Sequence, residues 1–160
     1  MKKIYFANGL FTEADRDFNL KVVKEIRKAL KERVYVYLPQ ENGDINDKTK
    51  FAGSSDIANG DNEHLDDCDI LIAVLDGEVI DPGVACEIGY AAAKGKKIFG
   101  LSTDSRVYYE QESPGKIHSV KGLCESQYHY KNLYVVGNIN NNGFIFSNYE
   151  ALIGYLLEII

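Results

Sequence analysis

Residues 81–95 read DPGVACEIGYAAAKG, and the rest of the chain can be organised around this stretch. Asp81 can cap the free amides at the start of a helix, and Pro82 suits the first helical position. Gly95 suits a left-handed cap at the helix end. The apolar residues between these ends recur at spacings of four and three, which indicates one buried face: Val84, Ile88 and Ala91. The stretch therefore predicts a helix over residues 82–94.

Glu87 is the exception within this helix. At about 100° per residue it lies roughly 40° around the helix from Ala91, so it flanks the apolar stripe. A carboxylate at the margin of a core is either tied by hydrogen bonds or kept for chemistry. A solvated glutamate at a helix edge is the commoner case. Position alone leaves both interpretations open.

Length and composition narrow the class of protein. The chain has 160 residues, of which 45% are apolar, so we expect one domain over residues 1–160 with a substantial core. Its formal net charge of −6 argues against nucleic acid or an anionic membrane surface as a partner. The three cysteines form no CxxC pattern, and no signal peptide is recognisable. Reduced thiols and a cytoplasmic location are the expectation.

Strand and helix signals alternate along the chain. Strands are predicted at residues 2–6, 34–38, 69–75, 97–101 and 133–136, and helices at 12–30, 60–67 (the end of a short helix), 82–94 and 149–160. This alternation predicts an α/β fold: a flavodoxin-like, doubly wound, five-stranded parallel sheet of order 2-1-3-4-5 with helices on both faces. Ligands bind such sheets beyond the carboxyl ends of the strands, at the switch point.

Three connecting segments lack regular patterns. Residues 40–59 are polar, and a loop of this length is either a functional lid or a tolerated surface insertion. Residues 102–131 read as irregular, and residues 138–143 (NINNNG) read as an asparagine-rich loop.

The sequence does not support two common classes of ligand, nucleotide cofactors and metal ions. The turn after the first strand reads ANGLFTEAD, and its single glycine and early acids do not suit a phosphate, so no nucleotide cofactor is expected. The three histidines, His64, His118 and His129, show no paired spacing, so no metal site is predicted.

A phosphate-accepting receiver domain is a further alternative. CDILIAVLD resembles the third strand of a receiver, with Asp76 as the acceptor. A receiver needs an acidic pair at the end of its first strand to hold Mg²⁺, but Ala7 and Asn8 stand there. The lysine expected after strand five is absent from LYVVGNI, so this class is disfavoured.

Paired carboxylates fit the sequence better. Asp61, Asp81 and Glu87 come from three elements that all reach the same rim of the predicted sheet. Displacement at an anomeric carbon with retention uses one carboxylate as nucleophile and a second carboxyl as acid and then base. An acidic rim that repels phosphate points to an unphosphorylated sugar.

Three segments carry a resemblance to a known family: IYFANGLF (residues 4–11), GDNEHLDDCDILIAVLDG (60–77) and DPGVACEIGYAAAKGKKI (81–98). The core E-[IL]-G-Y-A, with an aspartate six residues before the glutamate, is the specific part. The sequence resembles the nucleoside 2-deoxyribosyltransferase family. The resemblance implies a flavodoxin-like fold, no cofactor and a role in nucleotide salvage. It also implies that the base of a 2′-deoxynucleoside is exchanged for a free purine or pyrimidine base.

The resemblance also implies roles for single residues. Glu87 stands at the position of the nucleophile that attacks C1′, and Asp61 at that of the carboxylate handling the base's proton. Asp81 matches the residue that binds the 5′-hydroxyl. Tyr5 matches the tyrosine that steadies the nucleophile, and Gly9 the glycine where backbone approaches the ligand.

Members of the family also use an asparagine lent by a neighbouring subunit. Asn132, in KNLYVVG, is the candidate here, and the asparagines of residues 138–142 compete with it. Asn8, beside Gly9, is a further candidate for substrate binding. The resemblance therefore predicts a homo-oligomer whose sites are completed by a partner subunit.

Two rival functions remain. An N-glycoside hydrolase of nucleosides or 5′-nucleotides could use the same fold, although the charge of Asp81 argues against a 5′-phosphate. A non-catalytic small-molecule-binding or signalling module could share the sheet without the chemistry. The sequence does not distinguish purine from pyrimidine preference.

Overall fold

A parallel sheet of five strands forms the centre of the computed structural model, which describes residues 1–43, 53–104, 125–126 and 129–160. The strands are β1 (Lys2–Ala7), β2 (Val34–Tyr37), β3 (Ile70–Val74), β4 (Lys97–Leu101) and β7 (Gly143–Phe146). They lie in the order β2-β1-β3-β4-β7, and every pairing is parallel. Two short strands, β5 (Glu125–Ser126) and β6 (His129–Tyr130), form a separate antiparallel pair. The predicted fold class and the 2-1-3-4-5 order of the main sheet are confirmed.

Helices cover both faces of this sheet. They are α1 (Glu13–Leu30), α2 (Ser54–Asp67), α3 (Pro82–Ala93), α4 (Leu133–Asn142) and α5 (Tyr149–Ile159). One buried cluster packs α1 and α5 on one face, and a second packs α2, α3 and α4 on the other. Among the helices described, none is long and apolar enough to span a membrane.

The ends of α1 follow from its sequence. Thr12 and Asp15 form a reciprocal capping box, in which the Thr12 hydroxyl oxygen accepts from the Asp15 amide at 3.1 Å. Acids lie in the first turn and basic residues in the last, which complements the helix dipole. The capping box therefore fixes the start of α1 immediately after the β1–α1 turn.

The fifth strand of the sheet is not where the sequence patterns indicate. The predicted strand at residues 133–136 is wrong, because these residues form the first turn of α4, and most of the predicted loop at 138–143 continues that helix. The side chain of Asn132 caps α4 by accepting from the amides of Tyr134 and Val135 at 3.0 and 3.2 Å. The actual strand, β7, begins at Gly143, where a Cβ would lie 1.9 Å from the Ile98 carbonyl oxygen, so only glycine fits.

The polar segment at residues 40–59 is also partly corrected. Residues Pro39–Glu41 form a short 3-10 turn, and α2 already begins at Ser54, so residues 54–59 are helical rather than loop. The helix end predicted at residues 60–67 is confirmed. Residues 44–52 of the predicted lid, and residues 105–124 and 127–128 of the predicted irregular segment, lie outside the described residues.

Candidate active site

A cavity of about 300 Å³ opens at the carboxyl edge of the sheet, beside the switch point between β1 and β3. Its lining brings together five of the residues singled out in the sequence: Asn8, Gly9, Asp61, Asp81 and Glu87. Exposed apolar side chains, Phe11 and Ile57, also line it. The cavity therefore lies where ligands bind sheets of this topology.

Helix α3 presents Glu87 to this cavity. The Asp81 Oδ1 atom accepts from the amides of Gly83 and Val84 at 2.9 and 3.1 Å, which caps the helix start, and Pro82 occupies its first position. Gly95 adopts φ +66° just beyond the helix end, as the sequence predicts. A helix fixed at both ends holds Glu87 in its second turn, half-buried against the cavity.

Tyr5 joins the two carboxyls. It points from β1 into the core with none of its surface exposed. Its hydroxyl donates to Glu87 Oε1 at 2.5 Å and lies 3.3 Å from Asp61 Oδ1. A phenol has one proton to donate, so a second close contact with a carboxyl is best satisfied when Asp61 carries a proton of its own. The three side chains form one hydrogen-bonded unit.

Burial changes the acidity of each member of this unit. Burial raises the pKa of Glu87 to about 7; the Tyr5 hydrogen bond opposes the shift, and the charges of Asp61 and Asp81 add to it. Burial also raises the pKa of Asp61, against the hydrogen bond from Tyr5 and the nearby His64. The pKa of Tyr5 is raised by burial and by the charge of Glu87, so its hydroxyl remains a donor.

An aromatic stack supports the same unit. The rings of Tyr37 and His64 lie 3.6 Å apart at an angle of 19°, and Tyr37 is 5.2 Å from the ring of Tyr5. His64 lies one helical turn after Asp61 on α2. Sequence analysis missed both Tyr37 and His64, although the spacing of three residues on a helix was a usable signal for His64.

Asp81 has two roles that are compatible with each other. Its Oδ1 caps α3, while the side chain also lines the cavity. The second carboxylate oxygen, Oδ2, can therefore accept a hydrogen bond from a ligand. Gly9 also lines the cavity, and a Cβ there would only approach Asp15 at 3.6 Å, so the glycine leaves space rather than avoiding a clash.

The structure does not bring Asn132 to the cavity of its own chain. Asn132 is absent from the lining residues, and its side-chain oxygen caps α4. A second cavity of about 470 Å³ lies between α2 and α3 and shares Asp61 and Glu87 with the first. In the part of the chain described, no group of three His, Cys, Asp or Glu side chains is arranged to hold a metal ion.

Solved structures similar to this chain share its fold along its whole length. A conserved protein from Enterococcus faecalis V583 is 42% identical with a TM-score of 0.83, and covers 100% of this chain and 99% of its own. A 2-desoxiribosyltransferase from Leishmania mexicana is 24% identical with a TM-score of 0.66, covering 99% and 98%. The CMP N-glycosidase BcmB from Clostridium botulinum is 18% identical with a TM-score of 0.56, covering 99% and 100%. The last two likenesses show the fold alone.

An uncharacterized protein of Schizosaccharomyces pombe is 44% identical over 59 residues, which is 34% of this chain and 28% of that protein's length. The family model for nucleoside 2-deoxyribosyltransferase matches residues 4–139. The chain therefore belongs to the nucleoside 2-deoxyribosyltransferase family.

Proposed function

We propose that this member of the family transfers a 2-deoxyribosyl group between nucleobases by double displacement, through a covalent ester to Glu87. One observation carries the proposal: a buried tyrosine hydroxyl that contacts two carboxyls at the edge of one cavity. This arrangement supplies a fixed nucleophile and a second carboxyl able to move a proton, which retaining glycosyl transfer requires.

In the first step a Glu87 carboxylate oxygen attacks C1′ of the 2′-deoxynucleoside. The C1′–O bond forms as the C1′–N bond to the base breaks, and the departing nitrogen takes the proton of Asp61. Tyr5 holds Glu87 in place through its hydrogen bond of 2.5 Å. The sugar lacks a 2′-hydroxyl, which favours the oxocarbenium-like transition state.

In the second step an incoming purine or pyrimidine base attacks C1′ from the opposite face. Its nitrogen loses a proton to Asp61 as the bond to Glu87 breaks, which restores both carboxyls to their starting states. Two inversions give net retention, so the product is again the β-nucleoside. No cofactor enters either step.

The productive protonation state holds one proton on the carboxyl pair. Glu87 acts as the ionised nucleophile while Asp61 carries the proton for the leaving base. Both pKa values are raised by burial, so the pair keeps a shared proton closer to neutral pH than isolated carboxyls would. Ionisation of both groups then stops the first step.

The charge of the cavity selects nucleosides over nucleotides. Asp81 would accept the 5′-hydroxyl through Oδ2, because Oδ1 is occupied by the amides of α3. Three carboxyl side chains line this cavity, and a 5′-phosphate beside them would be repelled. This argues against hydrolysis of 5′-nucleotides as the main activity.

A second copy of the chain completes the site in this proposal. Asn132 lies at the start of α4, next to exposed apolar side chains: Leu133 is 56% exposed and Tyr134 78%. Such a surface suits burial against a partner. We place Asn132 of one subunit beside Glu87 of its neighbour in a cytoplasmic homo-oligomer that serves nucleotide salvage.

Subunit complementation tests this arrangement. Glu87→Ala and Asn132→Ala should each be inactive alone, because one lacks the nucleophile and the other the lent amide. When chains carrying one change each are co-expressed, some sites combine an intact Glu87 from one chain with an intact Asn132 from the other. About a quarter of the sites are intact if the chains pair at random, and about half if every pair is mixed, so a corresponding fraction of wild-type activity should return. Purified mixed oligomers without any recovery would show that Asn132 does not act across an interface.

A base swap tests the function itself. The protein is incubated with thymidine or deoxyinosine and free adenine, and products are separated by chromatography. Formation of deoxyadenosine with little free deoxyribose is expected. Free base and free sugar alone would indicate a hydrolase, and no consumption of either donor by folded protein would favour the binding module.

A further inference from the structure

A network of hydrogen-bonded side-chain amides reaches the cavity through Asn8, which lines it. Asn19, in α1, is only 1% exposed. Its Nδ2 donates to the Gly9 carbonyl oxygen at 3.0 Å and to Gln40 Oε1 at 2.9 Å, and its Oδ1 accepts from Asn8 Nδ2 at 2.7 Å. We call Asn8, together with Asn19 and Gln40, which do not line the cavity themselves, the amide wall.

Two backbone carbonyls fix which way these amides point. The Gly9 carbonyl can only accept, so the NH₂ group of Asn19 must face it. Gln40 Nε2 donates to the Arg16 carbonyl at 3.2 Å, so Gln40 must turn its oxygen to Asn19. Both of the Asn19 N–H groups are then used, and its oxygen is left to accept from Asn8. The hydrogen-bond pattern therefore assigns the oxygen and the nitrogen of each of these side-chain amides.

This orientation has a consequence for Asn8. Asn8 lines the cavity, and its NH₂ group is turned towards Asn19. Its Oδ1 makes no hydrogen bond to the described part of the chain, so a carbonyl oxygen is the group it can offer to a ligand. We propose that Asn19 is a positioning residue that presents the Asn8 carbonyl oxygen as a hydrogen-bond acceptor, and that Asn8 selects ligands carrying a hydroxyl or amino group there.

The inference rests on the proposed function for the identity of the ligand. 2′-Deoxyadenosine carries two kinds of hydrogen-bond donor besides the 5′-hydroxyl assigned to Asp81: the 3′-hydroxyl of the sugar and the exocyclic amine of the base. Both would satisfy the same acceptor. A ligand without the matching donor would leave the Asn8 oxygen unpaired inside the complex, which costs affinity.

Three nucleoside substrates distinguish the two candidate groups, the 3′-hydroxyl and the exocyclic amine. They are 2′-deoxyadenosine, 2′,3′-dideoxyadenosine (no 3′-hydroxyl) and the 2′-deoxyriboside of unsubstituted purine (no 6-amino group). For each, kcat/KM is measured with the same acceptor base in the wild type, Asn8→Ala and Asn19→Leu. The wild type should prefer 2′-deoxyadenosine over one of the two analogues by about five- to tenfold through this bond.

The preference should fall to near one in both variants for that same analogue. Collapse of the 3′-hydroxyl ratio assigns the contact to the sugar, and collapse of the 6-amino ratio assigns it to the base. Both ratios unchanged in Asn8→Ala would overturn the proposal. A ratio lost in Asn8→Ala but kept in a folded Asn19→Leu would overturn the role of Asn19.

A control separates positioning from general loss of stability. Asn148→Ala removes the helix cap of α5, where Asn148 Oδ1 accepts from the Ala151 amide at 2.7 Å, and Asn148 lines neither cavity at the acids. This variant should lower Tm and leave both ratios unchanged. If Asn19 had only a structural role, Asn19→Leu would likewise lower Tm and leave both ratios unchanged.

Binding measurements keep this proposal distinct from the proposed function. The three nucleosides are titrated by calorimetry into Glu87→Ala, with and without Asn8→Ala, so that no turnover occurs. A dissociation-constant ratio that collapses with Asn8→Ala supports the Asn8 contact even if base swapping fails. Equal affinities for all three nucleosides with Asn8 intact would overturn it.

Discussion

Two groups of side chains that reach the same cavity differ in charge and in hydrogen bonding. The acid wall, formed by Asp61, Asp81 and Glu87, holds carboxyls whose charges oppose one another, and burial raises the pKa of Glu87 to about 7. The amide wall is neutral, and Asn19 at its centre has both N–H groups and its oxygen bonded. Burial therefore opposes ionisation in the acid wall, whereas the central amide of the amide wall is fully hydrogen-bonded.

Under the proposed function, this difference separates the residues that react with the sugar from the residues that position the ligand. A nucleophile gains reactivity when it is held partly desolvated, and that arrangement lowers the stability of the folded protein. A buried polar network stabilises and orders its surroundings only when every member is paired. Substitutions in the two walls should therefore change activity and stability in different directions.

The largest expected effect is the loss of activity in Glu87→Gln. The amide keeps the shape and can still accept from Tyr5, but it cannot form the ester, so base exchange should fall by about 10⁴-fold or more. Steady-state rates of deoxyadenosine formation measure this. Glu150→Gln, on an exposed position of α5, is the matched control and should retain wild-type rates.

The same substitution should stabilise the protein at alkaline pH. The folded-state pKa of Glu87 lies above its ordinary value of 4.5, at about 7, so the folded state binds a proton more tightly than the unfolded state. Wild-type stability is therefore lost as pH rises from about 4.5 to 7, by at most about 3 kcal/mol. Glu87→Gln has no ionisable group at this position, so its stability should not fall in this way.

Urea unfolding at pH 5 and pH 8 checks this sign. Glu87→Gln should gain stability relative to the wild type at pH 8, and the gain should shrink at pH 5. Asn19→Leu should instead lose stability at both pH values, because its partners are left unpaired. A Glu87→Gln variant that is less stable than the wild type at pH 8 would show that the acid wall is not strained.

Tyr5→Phe should have a smaller effect on activity. It removes a hydrogen bond to a charged group, which contributes about 2 kcal/mol, so kcat/KM should fall about thirtyfold. Because this bond lowers the pKa of Glu87, its loss should move the acidic limb of the pH–rate profile to higher pH. Full pH profiles of both proteins measure the shift; an unmoved limb would separate Tyr5 from the ionisation of Glu87.

Much of the acid wall was predictable from local sequence. The DPGVACEIGY segment contains its own cap, buried stripe and carboxylate at the stripe's edge, so the position of Glu87 followed from helix geometry. The order of the main sheet followed from the alternation of strands and helices. That Tyr5 meets both carboxyls depended on contacts between residues 56 and 82 positions apart, and it entered only through the family resemblance.

The misplaced fifth strand shows where periodicity is ambiguous. LYVV at residues 133–136 is a short apolar run that suits either a strand or a buried helical turn. Val135, Val136 and Ile139 share the buried face of α4, a helical spacing, and packing outweighs the low helix propensity of the asparagines after them.

The amide wall was missed for a different reason. Asn19 lies on the buried stripe of α1 with Val22, Val23, Ile26 and Leu30, and a polar residue in such a stripe was the available signal. Its partners come from two other segments, the β1–α1 turn and the residues after β2. No local pattern indicates that these segments meet.

Trapping the covalent intermediate tests the central claim most directly. The wild type is incubated with a 2′-deoxynucleoside without acceptor base, quenched in acid, digested and analysed by mass spectrometry; Glu87→Gln, which cannot form the ester, is treated in parallel as the control. The account predicts one deoxyribosyl group on the peptide carrying Glu87, which disappears when free base is added before the quench. A deoxyribosyl group on Asp61 or Asp81 instead, or base exchange without any adduct in the wild type, would contradict it.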